Sequence, residues 1–309
     1  MSKLFKLIGA FTASVFLLLS ITTSVSAEKK ILFSIKGPGS GNPFWASVTK
    51  GAEEEAAKLG VKLILIAPPQ EGDVQAQINQ VEDQLAKGVD ALALAPGDPN
   101  AFAPIVDDAI KSGVPVVFVD TKGINEGVTF IGTNNMNGAE LAAKFICDKT
   151  PKGSDVAILT GIESQSTALL RRDGAIKGFK NCGLNLVATQ TAEWDTAKGR
   201  SVTESIILKN PNIKAIFASN DNMGLGAMQA LKDADMNDVI VVGFDATPDA
   251  ATSILKGEMT ATIAQFSYNM GAYGVKYALE LANGGSIDPN IDTGTPVSYT
   301  HLTLPTRIF

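Results

Sequence analysis

The sequence predicts an α/β protein with two doubly wound lobes of parallel sheet and a ligand cleft between them. Short apolar, often β-branched runs alternate with amphipathic segments along almost the whole chain, which is typical of parallel strands connected by helices. Ten such runs are many for one open sheet, and 309 residues exceed the usual size of one domain. Polar residues follow several of these runs, and ligands bind at that end of such sheets.

Ten strands are expected, and most are continuous apolar runs rather than alternations of apolar and polar residues. This pattern is typical of parallel strands that helices cover on both faces. The predicted strands lie at 31–35, 62–67, 91–95, 116–120, 129–131, 156–160, 184–188, 215–218, 239–244 and 261–264.

Amphipathic segments between these strands predict eight helices. The first begins with Pro43 and ends at Gly60, residues typical of a first turn and a C-cap, and Trp45 lies on its apolar stripe. Asp73 opens the second helix and Gly88 closes it. The eight helices are predicted at 43–60, 73–88, 100–112, 135–148, 167–181, 196–209, 222–232 and 267–283.

The chain divides near 131–134, after five strands, and the second half repeats the order of elements of the first. The fourth strand of each half ends in an aspartate, Asp120 in the first and Asp245 in the second. Two similar lobes that face each other would therefore enclose a cleft at the carboxyl ends of their strands.

A cleavable signal peptide is expected at 1–27, which predicts export from the cytoplasm. Two lysines precede the apolar run 7–21, and Val25 and Ala27 provide a small-residue cleavage site. Removing 27 of 309 residues leaves 282 and, with the two lysines, changes the formal net charge from −6 to −8. An uncleaved anchor is the alternative, although the run is short for a membrane span.

Composition argues against several classes of protein. The acidic balance makes the chain a poor binder of nucleic acid. The single histidine, His301, lies within the last nine residues, which argues against a zinc site or a Ser-His hydrolase, so no metal is expected. Cys147 and Cys182 are too few for a disulfide scaffold. They end two helices that flank one strand, and a single disulfide or two buried thiols both remain open.

The loop from Lys36 to Asn42 stands where a nucleotide-binding loop would follow the first strand. Its glycines, at 37, 39 and 41, do not have the G-x-G-x-x-G spacing, and no G-K-S/T motif follows. A flexible turn capped by Asn42 explains them, so nucleotide binding is the weaker alternative and no cofactor is expected. Phe44 and Trp45 follow, and Phe44, which lies off the buried stripe, is well placed to face the cleft.

A second tryptophan, Trp194, also follows a strand. Two aromatic faces from opposite lobes would sandwich the C–H faces of a pyranose or furanose ring, although core packing is the alternative for each ring. The polar candidates share a position at a strand's carboxyl end or early in a helix. They are Asp120, Arg171 with its neighbour Arg172, Asn220 with Asp221, Asp245 and Gln265.

Together these polar side chains suit hydroxyl groups, since each hydroxyl both donates and accepts a hydrogen bond. A helix cap or a turn is the alternative explanation for any single aspartate. A glycosidase with Asp120 and Asp245 as acid and base is a further alternative.

Several motifs together resemble the periplasmic sugar-binding proteins of the ribose and galactose type, the solute receptors of bacterial ABC importers. The resemblance runs from about Lys30 to about Val297. The motifs are Asn42-Pro-Phe-Trp45, Val119-Asp120, Ser219-Asn-Asp-Asn-Met-Gly-Leu-Gly-Ala227, Val241-Val-Gly-Phe-Asp245, Thr247-Pro-Asp249 and Thr262-Ile-Ala-Gln265.

The resemblance implies a type I periplasmic binding fold, in which a three-segment hinge joins the lobes. The N-terminal lobe would comprise 28–132 and 266–293, and the C-terminal lobe 133–265 and 294–297. The remaining segment, 298–309, looks like a translated sequencing adaptor and is expected to be a non-native tail.

The resemblance also implies ligand contacts at nine positions. Thr121 stands after Asp120 where ribose receptors carry arginine, and Ala95 stands where they carry asparagine. These departures point to a related pentose, a hexose, a sugar alcohol or a furanosyl signal molecule. The implied ligand-binding residues are Asn42, Phe44, Trp45 and Asp120 in the first lobe, and Arg171, Trp194, Asn220, Asp245 and Gln265 in the second.

The implied function is the capture of a monosaccharide or close relative and its delivery to a membrane ABC permease, without catalysis. A chemoreceptor is an optional second partner, nucleic acid is not a partner, and a monomer is expected. The alternative is a secreted carbohydrate-acting enzyme on a similar two-lobe scaffold.

Overall fold

The structure, a computed structural model, describes residues 28–299. The predicted signal peptide and most of the predicted tail, with His301, lie outside the described residues. Within this range the chain forms two six-stranded sheets with helices on their faces. The predicted α/β class with two doubly wound sheets is confirmed.

The first sheet is entirely parallel, in the order β11-β5-β4-β3-β1-β2. Helices α1, α2, α3 and α9 pack on it. The strands are β1 (Lys30–Ser34), β2 (Lys62–Ile66), β3 (Ala91–Leu94), β4 (Val116–Val119), β5 (Thr129–Gly132) and β11 (Asn290–Asp292), and the helices are α1 (Pro43–Leu59), α2 (Val74–Ala86), α3 (Pro99–Lys111) and α9 (Ser267–Ala282).

The second sheet has the equivalent order β12-β10-β9-β8-β6-β7, and only its edge strand β12 is antiparallel to its neighbour. The strands are β6 (Asp155–Thr160), β7 (Asn185–Thr191), β8 (Ala215–Ala218), β9 (Ile240–Asp245), β10 (Ala261–Ala264) and β12 (Val297–Tyr299), and the helices are α4 (Asn135–Lys149), α5 (Ser166–Cys182), α6 (Thr196–Lys209), α7 (Asp221–Asp233) and α8 (Pro248–Leu255).

The described chain crosses between the lobes three times. It leaves the first sheet after β5, returns after β10 to form α9 and β11, and crosses again to β12. Ser298 and Tyr299, the first residues of the segment expected to be a non-native tail, lie in β12 and pair with β10.

All ten predicted strands and eight predicted helices are present, within a few residues of their predicted ends. The prediction missed α8, β11 and β12. β11 and β12 are three residues each, too short for a hydrophobic period to appear. Helix α8 has only eight residues, which is too few for a clear amphipathic pattern. Thr247 followed by Pro248 is nevertheless a helix-start signal that could have predicted it.

The continuous apolar strands are explained by cores on both faces of each sheet. In β1, Ile31 and Phe33 pack with α1 and α9, whereas Leu32 packs with α3 on the opposite face. In β6, Leu159 and Ile158 likewise face opposite cores. Because both faces are covered, only the ends of the strands are free to supply polar side chains to a site.

A disulfide joins Cys147 of α4 to Cys182 of α5, with 6.1 Å between their Cα atoms. Of the two alternatives that the sequence left open, the structure contains the disulfide. It ties the helix that begins with Asn135 to the helix that supplies Arg171 to the cleft described below.

Close packing of α1 on α9 generates a stability prediction. A Cβ at Gly271 would collide with the carbonyl oxygen of Val48. Gly271→Ala is therefore expected to destabilise the protein by about 1–3 kcal/mol, although Gly→Ala in an unobstructed helix gains about 1 kcal/mol. Denaturant unfolding measures the difference. Ser205→Ala, on the exposed face of α6, is the control, and a stabilised Gly271→Ala protein would contradict the close contact.

Candidate functional site

All nine residues predicted to bind ligand line one cavity between the lobes. The cavity holds about 300 Å³ of space between atoms, and Lys36, Glu71 and Thr167 line it as well. The structure therefore brings the whole predicted set together, while the role of each residue as a ligand contact remains a prediction.

The carboxyl ends of the strands explain this convergence. Asp120 directly follows β4, Asp245 is the last residue of β9, and Gln265 directly follows β10. Asn220 caps the N-terminus of α7 after β8. Parallel strands end at the same edge of a sheet, so side chains that are distant in sequence meet at the cleft.

Three of these residues have a left-handed backbone, which side chains other than glycine rarely adopt. The φ angles are 61° at Asp120, 66° at Trp194 and 124° at Asp245. Such a conformation costs about 1–3 kcal/mol for each residue and concentrates at functional sites. The surrounding structure thus holds these three residues in a backbone conformation that they would not adopt on their own, and this conformation places their side chains at the cleft.

The first lobe contributes an aromatic wall. Asn42 caps α1, since its Oδ1 accepts from the Phe44 N–H at 3.2 Å. The rings of Phe44 and Trp45 pack edge to face with centroids 5.0 Å apart, and Trp45 Nε1 donates to Glu71 Oε2 at 3.1 Å. These contacts fix both rings at the wall of the cavity.

Asp120 lies between two donors of its own lobe. Its Oδ2 accepts from Thr121 Oγ1 at 2.7 Å and lies 3.1 Å from Lys36 Nζ. Thr121, the next residue after Asp120, contributes only a hydroxyl group. The positive charge beside Asp120 therefore comes from Lys36.

Arg171 is the central cation of the second lobe, and its side chain is only 4% exposed. Its Nε donates to Asn135 Oδ1 and its Nη1 to the Ser219 carbonyl, both at 2.7 Å. Its guanidinium carbon lies 3.9 Å from the centre of the Phe244 ring. The neighbouring Arg172 instead pairs with Asp173 at 2.8 Å outside the cavity.

The remaining second-lobe side chains are held by one another. Gln265 Nε2 donates to Asp245 Oδ1 at 2.6 Å, and Arg171 Nη1 lies 3.7 Å from the same oxygen. Asn220 Oδ1 accepts from the Met223 N–H at 2.9 Å, while its Nδ2 donates to the Trp194 carbonyl at 3.1 Å. Asn220 is thus a helix cap as well as part of the cavity wall.

Burial dominates the electrostatics of the cavity. It raises the pKa of Asp245 well above its ordinary value, although the Arg171 charge opposes this. It lowers the pKa of Arg171 against the opposing effect of Asp245. It also raises the pKa of Glu71, while Lys36 acts in the opposite direction. Water is excluded strongly enough that polar partners must compensate for its loss.

Asp221 does not line the cavity but binds two segments that neighbour Asp245. Its Oδ1 accepts from Thr262 Oγ1 at 2.6 Å and its Oδ2 from the Thr247 N–H at 2.7 Å. Complete burial raises its pKa to about 7 in spite of these hydrogen bonds. It thereby ties the start of α8 to β10, on either side of Asp245.

The sequence-based prediction did not include Lys36, Glu71 or Thr167. Lys36 and Glu71 lie shortly after β1 and β2, so the criterion that selected Asp120 would have selected Lys36 as well. The glycines after Lys36 are instead typical of a flexible turn or a nucleotide-binding loop, and neither requires a functional lysine at position 36. Thr167 carried no comparable signal in the sequence.

Neither a candidate metal site nor a membrane-spanning helix is found in the described part of the chain. Residues 28–299 contain no group of three or more His, Cys, Asp or Glu side chains that could hold a metal ion. No helix in that range is long and apolar enough to cross a membrane.

Comparison with known proteins identifies the family. A family model for the periplasmic binding protein domain matches residues 33–286. The chain belongs to the periplasmic binding protein family. The resemblance inferred from the motifs is confirmed.

Curated relatives of this periplasmic binding protein are sugar-import proteins. The ribose import binding protein of Bacillus subtilis is 37% identical over 251 residues, 81% of each chain. The D-allose-binding periplasmic protein of Escherichia coli is 35% identical over 285 residues, 88% of this chain and 90% of the relative. These relatives are binding proteins rather than enzymes, so the prediction of a non-enzymatic protein is confirmed and the glycosidase alternative is not supported.

Solved structures of ABC transporter solute-binding proteins share the fold. One from Actinobacillus succinogenes, with bound D-allose, has a TM-score of 0.82 and 32% identity, and the match covers 88% of this chain and 98% of that one. Another from Agrobacterium radiobacter, in complex with D-arabinose, has a TM-score of 0.83 and 28% identity, with coverage of 89% and 95%.

Asp221 generates a pH prediction for this periplasmic binding protein. The ordinary pKa of an aspartate is 3.8, and that of Asp221 in the folded protein is about 7. At a pH between these two values, Asp221 stays protonated in the folded state but loses its proton in the unfolded chain. The folded state then binds more protons, so the contribution of Asp221 to stability falls as pH rises through this window. Asp221→Asn should therefore reduce the loss of melting temperature between pH 4.5 and 7.5.

Asp173→Asn, at the surface beside Arg172, is the matched control and should leave the wild-type pH profile unchanged. Asp245 and Glu71 have raised pKa values as well, so the Asp221 variant should flatten the profile only in part. A profile identical to that of the wild type would show that Asp221 does not hold the proton.

Proposed function

We propose that this periplasmic binding protein captures a neutral monosaccharide or a close relative and delivers it to a membrane ABC permease. The observation that carries the proposal is the convergence of aromatic rings and hydrogen-bonding groups from both lobes on one cavity. Relatives named for ribose and D-allose, and structures with D-allose and D-arabinose, support a pentose or hexose as the ligand.

The hydrogen-bonding groups left open in the cavity favour a ligand rich in donors. Asp120 uses Oδ2 and Asp245 uses Oδ1 for contacts with protein groups, which leaves one carboxylate oxygen of each for a ligand. Gln265 Oε1 is buried without a hydrogen-bond partner in residues 28–299. Hydroxyl groups of a sugar would donate to these oxygens, and an unpaired buried acceptor costs about 1–3 kcal/mol.

The charges in the cavity favour a neutral ligand. Asp120 lies beside Lys36 at 3.1 Å and Asp245 beside Arg171 at 3.7 Å, so each carboxyl group already has a cation. A sugar acid would bring a further carboxylate next to the open oxygens of Asp120 and Asp245, in a cavity that Glu71 also lines. Like charges at such short range are strongly unfavourable in a site that excludes water.

The aromatic rings would bind the apolar faces of the sugar ring. Phe44 and Trp45 come from the first lobe and Trp194 from the second, and all three line the cavity. A pyranose or furanose presents C–H groups on its faces, so rings from opposite lobes would contact it only when the lobes close. Ligand binding would therefore favour closure, because only the closed form makes both sets of contacts.

The proposed setting is the periplasm, reached through the signal peptide 1–27. The closed lobes would dock on the permease, with a chemoreceptor as an optional second partner, and the protein would act as a monomer. Fractionation of cells that express the full chain tests the location, and size-exclusion chromatography with light scattering tests the oligomeric state.

Calorimetric titration tests the ligand prediction. D-ribose, D-allose and D-arabinose are compared with their sugar acids, and at least one neutral sugar should bind with one-to-one stoichiometry and be recovered unchanged. Its acid should bind at least about 30-fold more weakly, because about 2 kcal/mol of lost interaction corresponds to that factor. Chemical conversion of the sugar would contradict a binding protein.

Asp245→Asn tests the central acceptor. The amide oxygen would still accept from Gln265 Nε2, as Asp245 Oδ1 does in the wild type, but an NH2 group would replace the oxygen that is open to the ligand, and the charge opposite Arg171 would be lost. Affinity for the sugar should fall at least about 30-fold while the circular dichroism spectrum is unchanged. Asp173→Asn, outside the cavity, is the control, and unchanged affinity of Asp245→Asn would remove Asp245 from the site.

A further inference from the structure

Lys36 is a buried cation whose contacts reach both lobes. It follows β1 of the first sheet, and its side chain is only 4% exposed, which is rare for a lysine without a structural or functional reason. In its own lobe Nζ donates to Thr121 Oγ1 at 2.8 Å and lies 3.1 Å from Asp120 Oδ2. In the second lobe it donates to Gln165 Oε1 at 2.8 Å and lies 3.4 Å from Thr167 Oγ1.

The geometry leaves the ammonium group without a free donor. A lysine has three N–H groups and no acceptor, and three protein oxygens lie within 3.1 Å of Nζ, on Thr121, Gln165 and Asp120. The hydroxyl of Thr167 adds a fourth at 3.4 Å. Although Lys36 lines the cavity, its N–H groups are thus already used by protein oxygens, two in its own lobe and Gln165 in the other.

The second-lobe partner, Gln165, also has contacts within its own lobe. Gln165 is fully buried, immediately before α5, and its backbone N–H donates to the Ile162 carbonyl at 3.0 Å. Its Oε1 accepts from Lys36 and also from Trp194 Nε1 at 2.8 Å. One continuous chain of polar contacts therefore runs from Asp120 through Lys36 and Gln165 to Trp194, across the cleft.

We propose that Lys36, with Gln165 and Thr167, forms an interlobe latch, and that Lys36 is a positioning residue rather than a ligand contact. The latch stabilises the closed form through contacts between protein atoms alone. It also holds Asp120 and Trp194, one from each lobe, in the arrangement that faces the ligand. The proposal rests on the proposed function for its effect on affinity, whereas its effect on closure does not depend on which ligand binds.

The latch is reversible because opening breaks only part of it. Lys36 and Asp120 belong to the same lobe, so their ion pair stays intact when the lobes separate, and water replaces Gln165 and Thr167. The latch therefore biases the equilibrium between open and closed forms. Since a ligand that needs the closed form binds with an affinity scaled by its population, every such ligand should be affected by the same factor.

Lys36→Met tests closure without any ligand, because methionine keeps the apolar stem but has no ammonium group. Small-angle scattering is measured on protein unfolded and refolded to remove bound sugar. The radius of gyration of the variant should exceed that of the wild type. Lys58→Met, in the same lobe with a side chain 71% exposed, is the control and should match the wild type. An unchanged radius for Lys36→Met would overturn the latch.

A comparison with deoxy sugars separates the latch from a direct contact. The tightest binder among D-ribose, D-allose and D-arabinose is titrated with its monodeoxy derivatives into wild type and Lys36→Met. The latch predicts that the variant binds every compound weaker by one common factor of about 10 to 100. If the loss disappears for one deoxy sugar, Lys36 contacts the missing hydroxyl and the latch assignment is wrong.

Gln165→Met provides an independent variant that leaves Lys36 paired with Asp120. It removes the nearer of the two second-lobe acceptors while preserving side-chain length and leaves only Thr167 at 3.4 Å, so it should enlarge the ligand-free protein as Lys36→Met does. A compact Gln165→Met protein would overturn the latch even if Lys36→Met failed to fold. If no sugar binds the wild type, the proposed function fails, while the scattering comparison still decides the latch.

Discussion

The burial of charged groups in the cleft is the constraint on which the rest of the site depends. Lys36, Asp120, Arg171 and Asp245 have side chains no more than 8% exposed. A charge taken out of water costs several kcal/mol unless ion pairs and hydrogen bonds replace its hydration. Each of these groups accordingly has an opposite charge within 4 Å, and neighbouring polar groups, such as Gln265 beside Asp245, hold these partners.

Helix starts supply several of these neighbouring polar groups. Asn42 and Asn220 cap helices with one side-chain atom and line the cavity at the same time. Asn135, which holds Arg171, is the first residue of α4, immediately after the chain leaves the first lobe. Site geometry is thus coupled to the helix starts and, through Asn135, to a segment at which the chain crosses between the lobes.

The sequence was sufficient to predict most of the fold and all nine proposed ligand contacts. Hydrophobic periodicity is a local property, and it located ten strands and eight helices, but three-residue strands such as β11 are too short to show it. Asp120, Asp245 and Gln265 could be chosen because strand ends are visible in sequence. Lys36 precedes a glycine-rich loop, and its burial depends on packing against residues far away in the sequence. The residues around it therefore do not predict that it lines the cavity.

By itself the sequence determined the order of elements, the division into two lobes and the polar residues at the strand ends, because each follows from patterns within a few neighbouring residues. Tertiary packing was needed to show which cation meets which carboxylate, that Cys147 and Cys182 are bonded, and that Arg171 rather than Arg172 faces the cleft. The reason is distance along the chain: Lys36 meets Thr121 and Gln165 across separations of 85 and 129 residues, and no local pattern encodes such contacts.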